Sequence, residues 1–231
     1  MSLFLFILLL AVSAKADLEP PSSVQIIVQP VKTAALSGSN ALFFITAAGT
    51  DPLYQWQYNG EDIPGETRSN LVLTSVSASN AGFYRVIVHN AFSTETSRDA
   101  ALLVTTLGET LNATNLSWSV GGTAPIWLPE VEVTHDGEVA LQSAPFTRAF
   151  ESRSISTTVQ GPCTISFWWK FRATNTSSSA TFQVDSTTSL LKGYHDWERV
   201  VYYLGSNSHN LAWTVYDNGG NLADQITLWL D

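Results

Sequence analysis

The tryptophans of the second half of the chain are the strongest chemical feature of the sequence. Seven of the eight lie after residue 110, and Trp168 and Trp169 are adjacent in an apolar run. Because neighbouring side chains of a strand point to opposite faces, one of these indoles enters a core and the other faces outward or lies under a loop. An exposed indole stacks on a sugar ring or docks a partner. The alternative is that all of the indoles pack inside the fold. The predicted binding surface consists of Trp168, Trp169, Trp127 and Trp197, extended by Trp118 and Trp213.

Two loops are rich in oxygen ligands. The stretches "THDGE" and "YDNGGNLAD" contain Asp136, Asp217 and Asp224. Calcium takes roughly six to eight hard oxygens, so these three carboxylates form a candidate calcium site. No D-x-D-x-D run accompanies them, and Asn, Asp and Gly are also ordinary turn residues. Without calcium, the sequence predicts no cofactor.

A pair of carboxylates is the nearest approach to a catalytic motif. Glu130 and Glu132 in "PEVEV" have the spacing that places two side chains on one face of a strand. Some glycoside hydrolases carry such a pair, but the third carboxylate usual in those enzymes is missing here. The G-x-S-x-G, H-E-x-x-H and P-loop motifs are also missing. We expect a non-catalytic protein, with a glycoside hydrolase as the alternative.

Cysteine and histidine offer little chemistry. Cys163 is the single cysteine, so an internal disulfide is excluded. It is predicted to be a small buried hydrophobe, and the alternatives are an intermolecular bridge or a nucleophile. The histidines lie far apart without metal-ligand spacing and are predicted to occupy loops or strand edges.

The charge and the first residues indicate an exported protein. The formal net charge is -9, which argues against nucleic acid because phosphate binding requires Lys and Arg. The stretch "MSLFLFILLLAVSAKA" has an apolar run followed by a small-x-small site, so residues 1–16 are predicted to be a signal peptide cleaved before Asp17. The run is too short for a stable membrane anchor. We expect a secreted or cell-surface protein without a membrane span after cleavage.

The elements of residues 23–105 are short strands separated by turn residues, as in an all-β sandwich. Alternation predicts that Ala41, Phe43, Ile45 and Ala47 share one face, as do Tyr84, Val86 and Val88. The pair Asn59-Gly60 predicts a hairpin after a strand that carries Trp56.

These positions have the spacing of an immunoglobulin-like domain. Ile45 and Val86 occupy the places of the two bridged cysteines, Trp56 that of the strand C tryptophan, and Tyr84 that of the tyrosine corner. With "YQWQYNGEDIPG" and "SNAGFYRVIVHN", the stretch resembles the cysteine-free immunoglobulin-like repeats of large bacterial surface and secreted proteins. A disulfide contributes about 2–4 kcal/mol. Two buried aliphatic side chains, at roughly 1.5–3 kcal/mol each, offset its loss.

Residues 107–231 are also strand-like. The motifs "LSWSVGGTAPIW", "VQGPCTISFWWK", "DWERVVYYL", "HNLAWTVYD" and "WLD" resemble a lectin-like jelly-roll module of the concanavalin A/MAM type. The resemblance implies an all-β chain, with an immunoglobulin-like β-sandwich followed by a jelly-roll β-sandwich. Members of that family continue past "WLD". We therefore expect either a last strand cut short, with unpaired backbone groups at an edge, or the front of a longer protein.

Together these features favour a secreted, non-catalytic binding or adhesion protein. The immunoglobulin-like domain acts as a spacer, and the jelly roll presents the binding surface. The expected partner is a polysaccharide or a cell-surface protein. The alternatives are a structural spacer fragment of a larger cell-surface protein and a glycoside hydrolase.

Overall fold

The computed structural model describes residues 22–123, 126–218 and 225–231. The predicted signal peptide, residues 1–16, lies outside the described residues. Within them the ordered elements are almost all β-strands, and helix is confined to the 3-10 turn Ala78–Asn80 and the one-turn helix α1, Leu107–Thr110. The all-β prediction is therefore confirmed.

The N-terminal unit, residues 22–105, is a β-sandwich. Its strands are β1 (Gln25–Val28), β2 (Thr33–Leu36), β3 (Ala41–Phe44), β4 (Thr46–Ala48), β5 (Leu53–Tyr58), β6 (Glu61–Asp62), β7 (Asn70–Leu73), β8 (Gly82–His89), β9 (Thr94–Thr96) and β10 (Ala100–Thr105). One sheet has the order β2-β10-β8-β5-β6, with β9 paired along β8, and the pairs β1-β4 and β3-β7 pack against it. In this immunoglobulin-like arrangement β5, β8 and β10 take the places of strands C, F and G.

The core of the N-terminal unit is built around Trp56. Val86 lies directly opposite Trp56 in the β5–β8 pair, and both side chains are fully buried. Ile45 belongs to the same buried cluster. The Trp56 indole N–H donates to the carbonyl of Arg68 at 2.8 Å, which satisfies its polar atom inside the core. The position of the usual disulfide is thus filled by aliphatic packing.

Tyr84 forms the predicted corner. Its hydroxyl donates to the carbonyl of Asn80, the last residue of the 3-10 turn, at 2.8 Å. Its ring stacks on Phe43 at a centroid distance of 5.0 Å. The predicted hairpin is also present, because Asn59 and Gly60 both have positive φ between β5 and β6.

Strand β2 was not predicted from the sequence. The chain leaves β1 near Pro30, which lacks an N–H for a sheet ladder, and resumes as β2 on the other sheet. There it runs parallel to β10, with Thr33 opposite Leu102. Its sequence, TAAL, is short and alanine-rich, so it carries little of the β-branched and aromatic signal of a strand.

The C-terminal unit, residues 107–231, contains two five-stranded antiparallel sheets, with strand orders β11-β14-β19-β16-β17 (sheet I) and β12-β13-β20-β15-β18 (sheet II). The strands are β11 (Trp118–Gly122), β12 (Trp127–Glu130), β13 (Ala140–Ser143), β14 (Ser152–Gln160), β15 (Cys163–Ala173), β16 (Ser179–Val184), β17 (Thr187–Lys192), β18 (Tyr194–Leu204), β19 (Ser208–Tyr216) and β20 (Ile226–Leu230).

Aromatic rings join the two sheets. Phe167 of sheet II meets Phe182 and Trp213 of sheet I edge to face, at centroid distances of 4.6 and 5.1 Å. Offset and edge-to-face arrangements are the favourable geometries for such rings. The sheets therefore pack face to face as a second sandwich, whose buried cluster is separate from the one around Trp56.

Candidate functional site

Two of the four tryptophans predicted to bind a ligand are buried. Trp169 is 2% exposed and Trp127 is 3% exposed. The Trp127 indole N–H crosses to sheet I and donates to the carbonyl of Ser154 at 3.0 Å. The prediction that Trp127 and Trp169 belong to a binding surface is therefore wrong, because an indole packed between two sheets has no face free for a ligand.

Trp168 and Trp197 are half-buried, in an aromatic cluster with the exposed His135. The His135 ring stacks on Trp168 at a centroid distance of 3.8 Å, with the planes 16° apart. Trp197 meets the same imidazole edge to face at 6.0 Å. One face of Trp168 is therefore covered by His135, which reduces the area that a sugar ring could stack on. Sequence reasoning missed this contact, because the loop of His135 is remote from β15 in the chain.

A cavity of about 720 Å³ opens beside this cluster, at the point where β20 ends alongside β15. Residues 164–167 of β15 form one wall. Trp118 and Trp213 line it from sheet I, with their ring centroids 5.8 Å apart. We call this cavity the slot.

Asp231 and the loop of His135 border the slot. The Asp231 carboxylate accepts hydrogen bonds from the backbone N–H groups of His135 and Asp136, at 2.8 and 3.4 Å. The Asp231 backbone pairs with Trp168 through two hydrogen bonds of 2.7 and 3.0 Å. Arg199 also lines the slot. The rim thus carries two carboxylates and one guanidinium.

The outer face of sheet I is rich in neutral polar side chains, especially along β14. Along β14, Ile155, Thr157 and Val159 are buried, whereas the alternate residues Ser154, Ser156 and Thr158 face away from the core. One row across the sheet consists of Ser119, Ser156, Ala212, Gln183 and Thr188. We call this surface the hydroxyl face.

A groove of about 540 Å³ crosses the hydroxyl face over Ser156, Thr158 and Asn210. The Thr158 hydroxyl donates to the Asn210 amide oxygen at 2.9 Å. Sequence reasoning missed the groove, although the signal was present in "SRSISTTVQ", where a hydroxyl recurs at every second residue of a strand.

The candidate calcium ligands lie in different surroundings. Asp136 is exposed, and its carboxylate accepts from the N–H of Glu138 at 2.9 Å. Asp217 is 2% exposed, and its carboxylate accepts from the Ser178 hydroxyl at 3.4 Å. Asp224 lies outside the described residues. Among those that are described, no three His, Cys, Asp or Glu side chains form a group able to hold a metal ion, and calcium stays a prediction.

Glu130 and Glu132 do not form the predicted pair on one strand. Strand β12 ends at Glu130, and Glu132 lies in the bend that follows. The Glu130 carboxylate turns back and accepts the backbone N–H groups of Val131 and Glu132, at 2.8 and 2.6 Å. Period-two spacing requires a continuous strand, and this local capping of the strand end breaks it.

Cys163 is half-buried at the start of β15, with its thiol unbridged, and it packs against the core of the C-terminal unit. It packs as a small hydrophobe, as predicted, but it is half-buried rather than buried. In the part of the chain that the structure describes, no helix is long and apolar enough to cross a membrane.

Comparison with family models gives no match to this chain, and comparison with curated protein sequences gives none either. Among solved structures, a chimeric titin Z1Z2 carrying a decorin peptide is 25% identical, with a TM-score of 0.34, and the match covers 37% of this chain and 97% of that one. Tandem Ig repeats of Dlar are 20% identical (TM-score 0.35; 38% and 50% covered). The four N-terminal Ig domains of a Dscam1 isoform are 22% identical (TM-score 0.32; 35% and 20% covered). The immunoglobulin-like arrangement of residues 22–105 is defined by its own strand order and core.

Proposed function

We propose that this protein is a secreted, non-catalytic binding or adhesion protein. The immunoglobulin-like unit acts as a spacer, and the C-terminal unit is a lectin-like jelly roll that contacts neutral carbohydrate. The apolar leader with its small-x-small site supports export. The two packed antiparallel sheets of the C-terminal unit support the jelly roll. The non-catalytic assignment is supported by Glu130, whose carboxylate is taken up by local backbone donors.

The hydroxyl face carries the carbohydrate proposal. The row through Ser156 and Gln183 and the groove beside it present hydroxyl and amide groups without a formal charge. Hydroxyl and amide side chains both donate and accept hydrogen bonds. They can therefore pair with the hydroxyls of a neutral sugar whether a given sugar hydroxyl acts as donor or as acceptor. The aromatic cluster of His135, Trp168 and Trp197 is a weaker site for sugar stacking, because the imidazole already occupies one face of Trp168.

A glycan array probed with the protein expressed from the whole chain tests this proposal. We expect binding to at least one neutral polysaccharide. The variant Ser156→Arg places a long charged side chain in the groove and should weaken that binding at least about tenfold, or about 1.4 kcal/mol.

The matched control is Thr46→Arg, which adds the same charge to an exposed strand of the N-terminal unit. It should bind as the parent does, and both variants should retain the parent melting temperature. If the protein binds none of the neutral glycans on the array, the carbohydrate proposal is wrong, and a purely structural spacer is favoured. If the parent and Ser156→Arg bind the glycan equally well, the binding site does not lie on the hydroxyl face.

A further inference from the structure

Strand β18 forms an open edge of sheet II. Its one neighbour in the sheet is β15, and no described residue pairs with its other side. Strand β20 and Asp231 pair with the far side of β15, so β15 and β18 both lie between them and this open edge. The edge is therefore set by the order of the strands in the sheet.

The C-terminal half of β18 has few of the features that protect an edge strand. Charged side chains, prolines and bulges keep such edges from pairing with other strands. The register between β15 and β18 shifts opposite Lys170, which marks a bulge in the first half of β18. Residues 199–204 pair with β15 without interruption, and they contain no proline and a single charge, on Arg199.

Three residues of β18 direct their backbone groups to the open edge. The N–H and C=O of Trp168 both bond Asp231, on the β20 side of β15. Backbone groups of an antiparallel strand alternate in direction, so those of Phe167 point to β18, where Phe167 lies opposite Val200. Val200 therefore faces β15, and its alternates face the open edge. These alternates are Arg199, Val201 and Tyr203.

The side chains of the same three residues lie on the outer face of sheet II. Residues directly opposite each other share a face, and Val201 lies opposite Ser166, which alternates with the core-facing Ile165 and Phe167. Tyr203 is 84% exposed and Val201 is 41% exposed. The edge thus combines free backbone donors and acceptors with exposed apolar surface, which is the combination that an added strand covers.

The open edge is complementary to the same edge of a second copy. In an antiparallel pair with a two-fold axis through Val201, this valine lies opposite Val201 of the second copy, and Arg199 lies opposite Tyr203 of the second copy. Each of these pairs exchanges two N–H···O bonds, because both members direct their backbone groups to the edge. The guanidinium then lies beside the exposed phenol ring, a cation–π contact that the symmetry repeats.

Nearby two-fold registers are less favourable. An axis through Arg199 places two like charges directly opposite each other. An axis through Val200 moves the pairing into the bulged segment that contains Trp197. An axis through Tyr202 or beyond leaves Arg199 opposite residues past the end of the strand. The sequence of β18 therefore selects the axis through Val201.

We propose that two copies of this chain associate through β18 into a symmetric dimer in which sheet II continues from one copy into the other. Val201 lies on the two-fold axis, and Arg199 of each copy packs on Tyr203 of the other. This inference goes beyond the carbohydrate proposal and is independent of it, because it uses the edge of sheet II rather than the hydroxyl face of sheet I.

Sedimentation equilibrium and hydrogen exchange of the full chain, over a range of concentrations, give the first test. We expect a monomer–dimer equilibrium without larger species, because a two-fold pair is closed. The amides of Val201 and Tyr203 should exchange rapidly in the monomer and slowly in the dimer, while that of Val200, bonded to β15, should be slow in both. A monomer at every concentration would overturn the proposal, as would a dimer in which Val201 exchanges rapidly.

A lysine on the edge tests whether β18 is the contact surface. Val201→Lys places two like charges on the two-fold axis and should weaken dimerisation at least about tenfold. The matched control is Val72→Lys, at a valine of the N-terminal unit that is 47% exposed. It should dimerise as the parent does, and both variants should retain the parent melting temperature. A dimer that Val72→Lys dissociates and Val201→Lys does not would assign the contact to another surface.

Two substitutions at Tyr203 test the register. Tyr203→Glu places a carboxylate opposite Arg199 of the second copy, whereas Tyr203→Arg places a like charge there. The Glu variant should therefore dimerise at least about tenfold more tightly than the Arg variant. The net charge of -9 on each chain favours the opposite order, so general repulsion cannot produce this result. Adding Arg199→Glu to Tyr203→Arg should restore dimerisation.

Equal dimerisation of Tyr203→Glu and Tyr203→Arg would show that Arg199 and Tyr203 do not lie opposite each other, and the proposed pairing would be wrong. The variant Ser156→Arg, on sheet I, should leave dimerisation unchanged. Failure of the carbohydrate proposal and failure of this one are therefore distinguishable.

Discussion

At the scale of single residues, Tyr84 shows how the N-terminal unit is stabilised without a disulfide. Its hydroxyl donates to Asn80 and its ring packs between Phe43 and Tyr58, each at 5.0 Å. Burial raises the pKa of Tyr84 from 10.0 to about 12, with a smaller contribution from the neighbouring Tyr58. The phenol is therefore kept neutral where an unfolded chain would begin to ionise it.

Replacing Tyr84 with Phe removes the corner hydrogen bond and leaves the ring. At pH 7 we expect the free energy of unfolding to fall by about 1 kcal/mol. Because the folded pKa is raised, the stabilisation is complete below pH 10 and is lost as the pH rises toward 12. The advantage of the parent over Tyr84→Phe should therefore shrink above pH 10, as measured by urea unfolding at pH 7 and pH 10.5. An equal difference at both values would contradict this account.

At the scale of elements, the turn between β16 and β17 is tied to β19 by an ion pair. His209 Nδ1 lies 2.8 Å from a carboxylate oxygen of Asp185, whose other oxygen accepts from the N–H of Asn210 at 2.9 Å. The hydrogen bond to Asp185 is the main cause that raises the pKa of His209 above 6.5. The hydrogen bond from His209 is likewise the main cause that lowers the pKa of Asp185 below 3.8.

This pair should make stability depend on pH in a defined window. The histidine contribution is complete below pH 6.5 and is lost as the pH rises through the raised pKa. The aspartate contribution is complete above pH 3.8 and is lost as the pH falls through the lowered pKa. The variant His209→Gln should therefore lower the melting temperature most near pH 5 and least near pH 8.5. His89→Gln is the control, and a pH-independent loss in His209→Gln would show that the contact acts by packing alone.

Most elements could be predicted from the sequence, because alternation of apolar residues is a local signal. It predicted the inward faces that carry Phe43 and Val86 and the turn at Asn59-Gly60. What it could not predict depends on how strands and loops meet. The slot is lined by residues of both sheets and of the loop of His135, and the His135–Trp168 stack joins that loop to β15. Neither feature can be predicted from a short stretch of neighbouring residues.

At the scale of the whole molecule, two buried clusters divide the chain. The first surrounds Trp56, and the second lies between the two sheets of the C-terminal unit. Helix α1 follows β10 directly, and its start is capped by Thr106 and Glu109 through reciprocal hydrogen bonds of 3.2 and 2.8 Å. Leu107 and Leu111 pack against the second cluster, so the helix turn belongs to the C-terminal unit.

Separate cores predict separate unfolding transitions. The variant Trp56→Ala leaves a large cavity in the N-terminal core and should cost about 3–5 kcal/mol there. We expect calorimetry of the parent to show two transitions, and Trp56→Ala to lower one melting temperature sharply while the other stays in place. The other seven tryptophans lie in the second half of the chain, so their fluorescence should follow the unmoved transition. A single transition that moves as a whole in Trp56→Ala would instead mean that the two sandwiches fold as one unit, which a spacer with an independent binding module does not require.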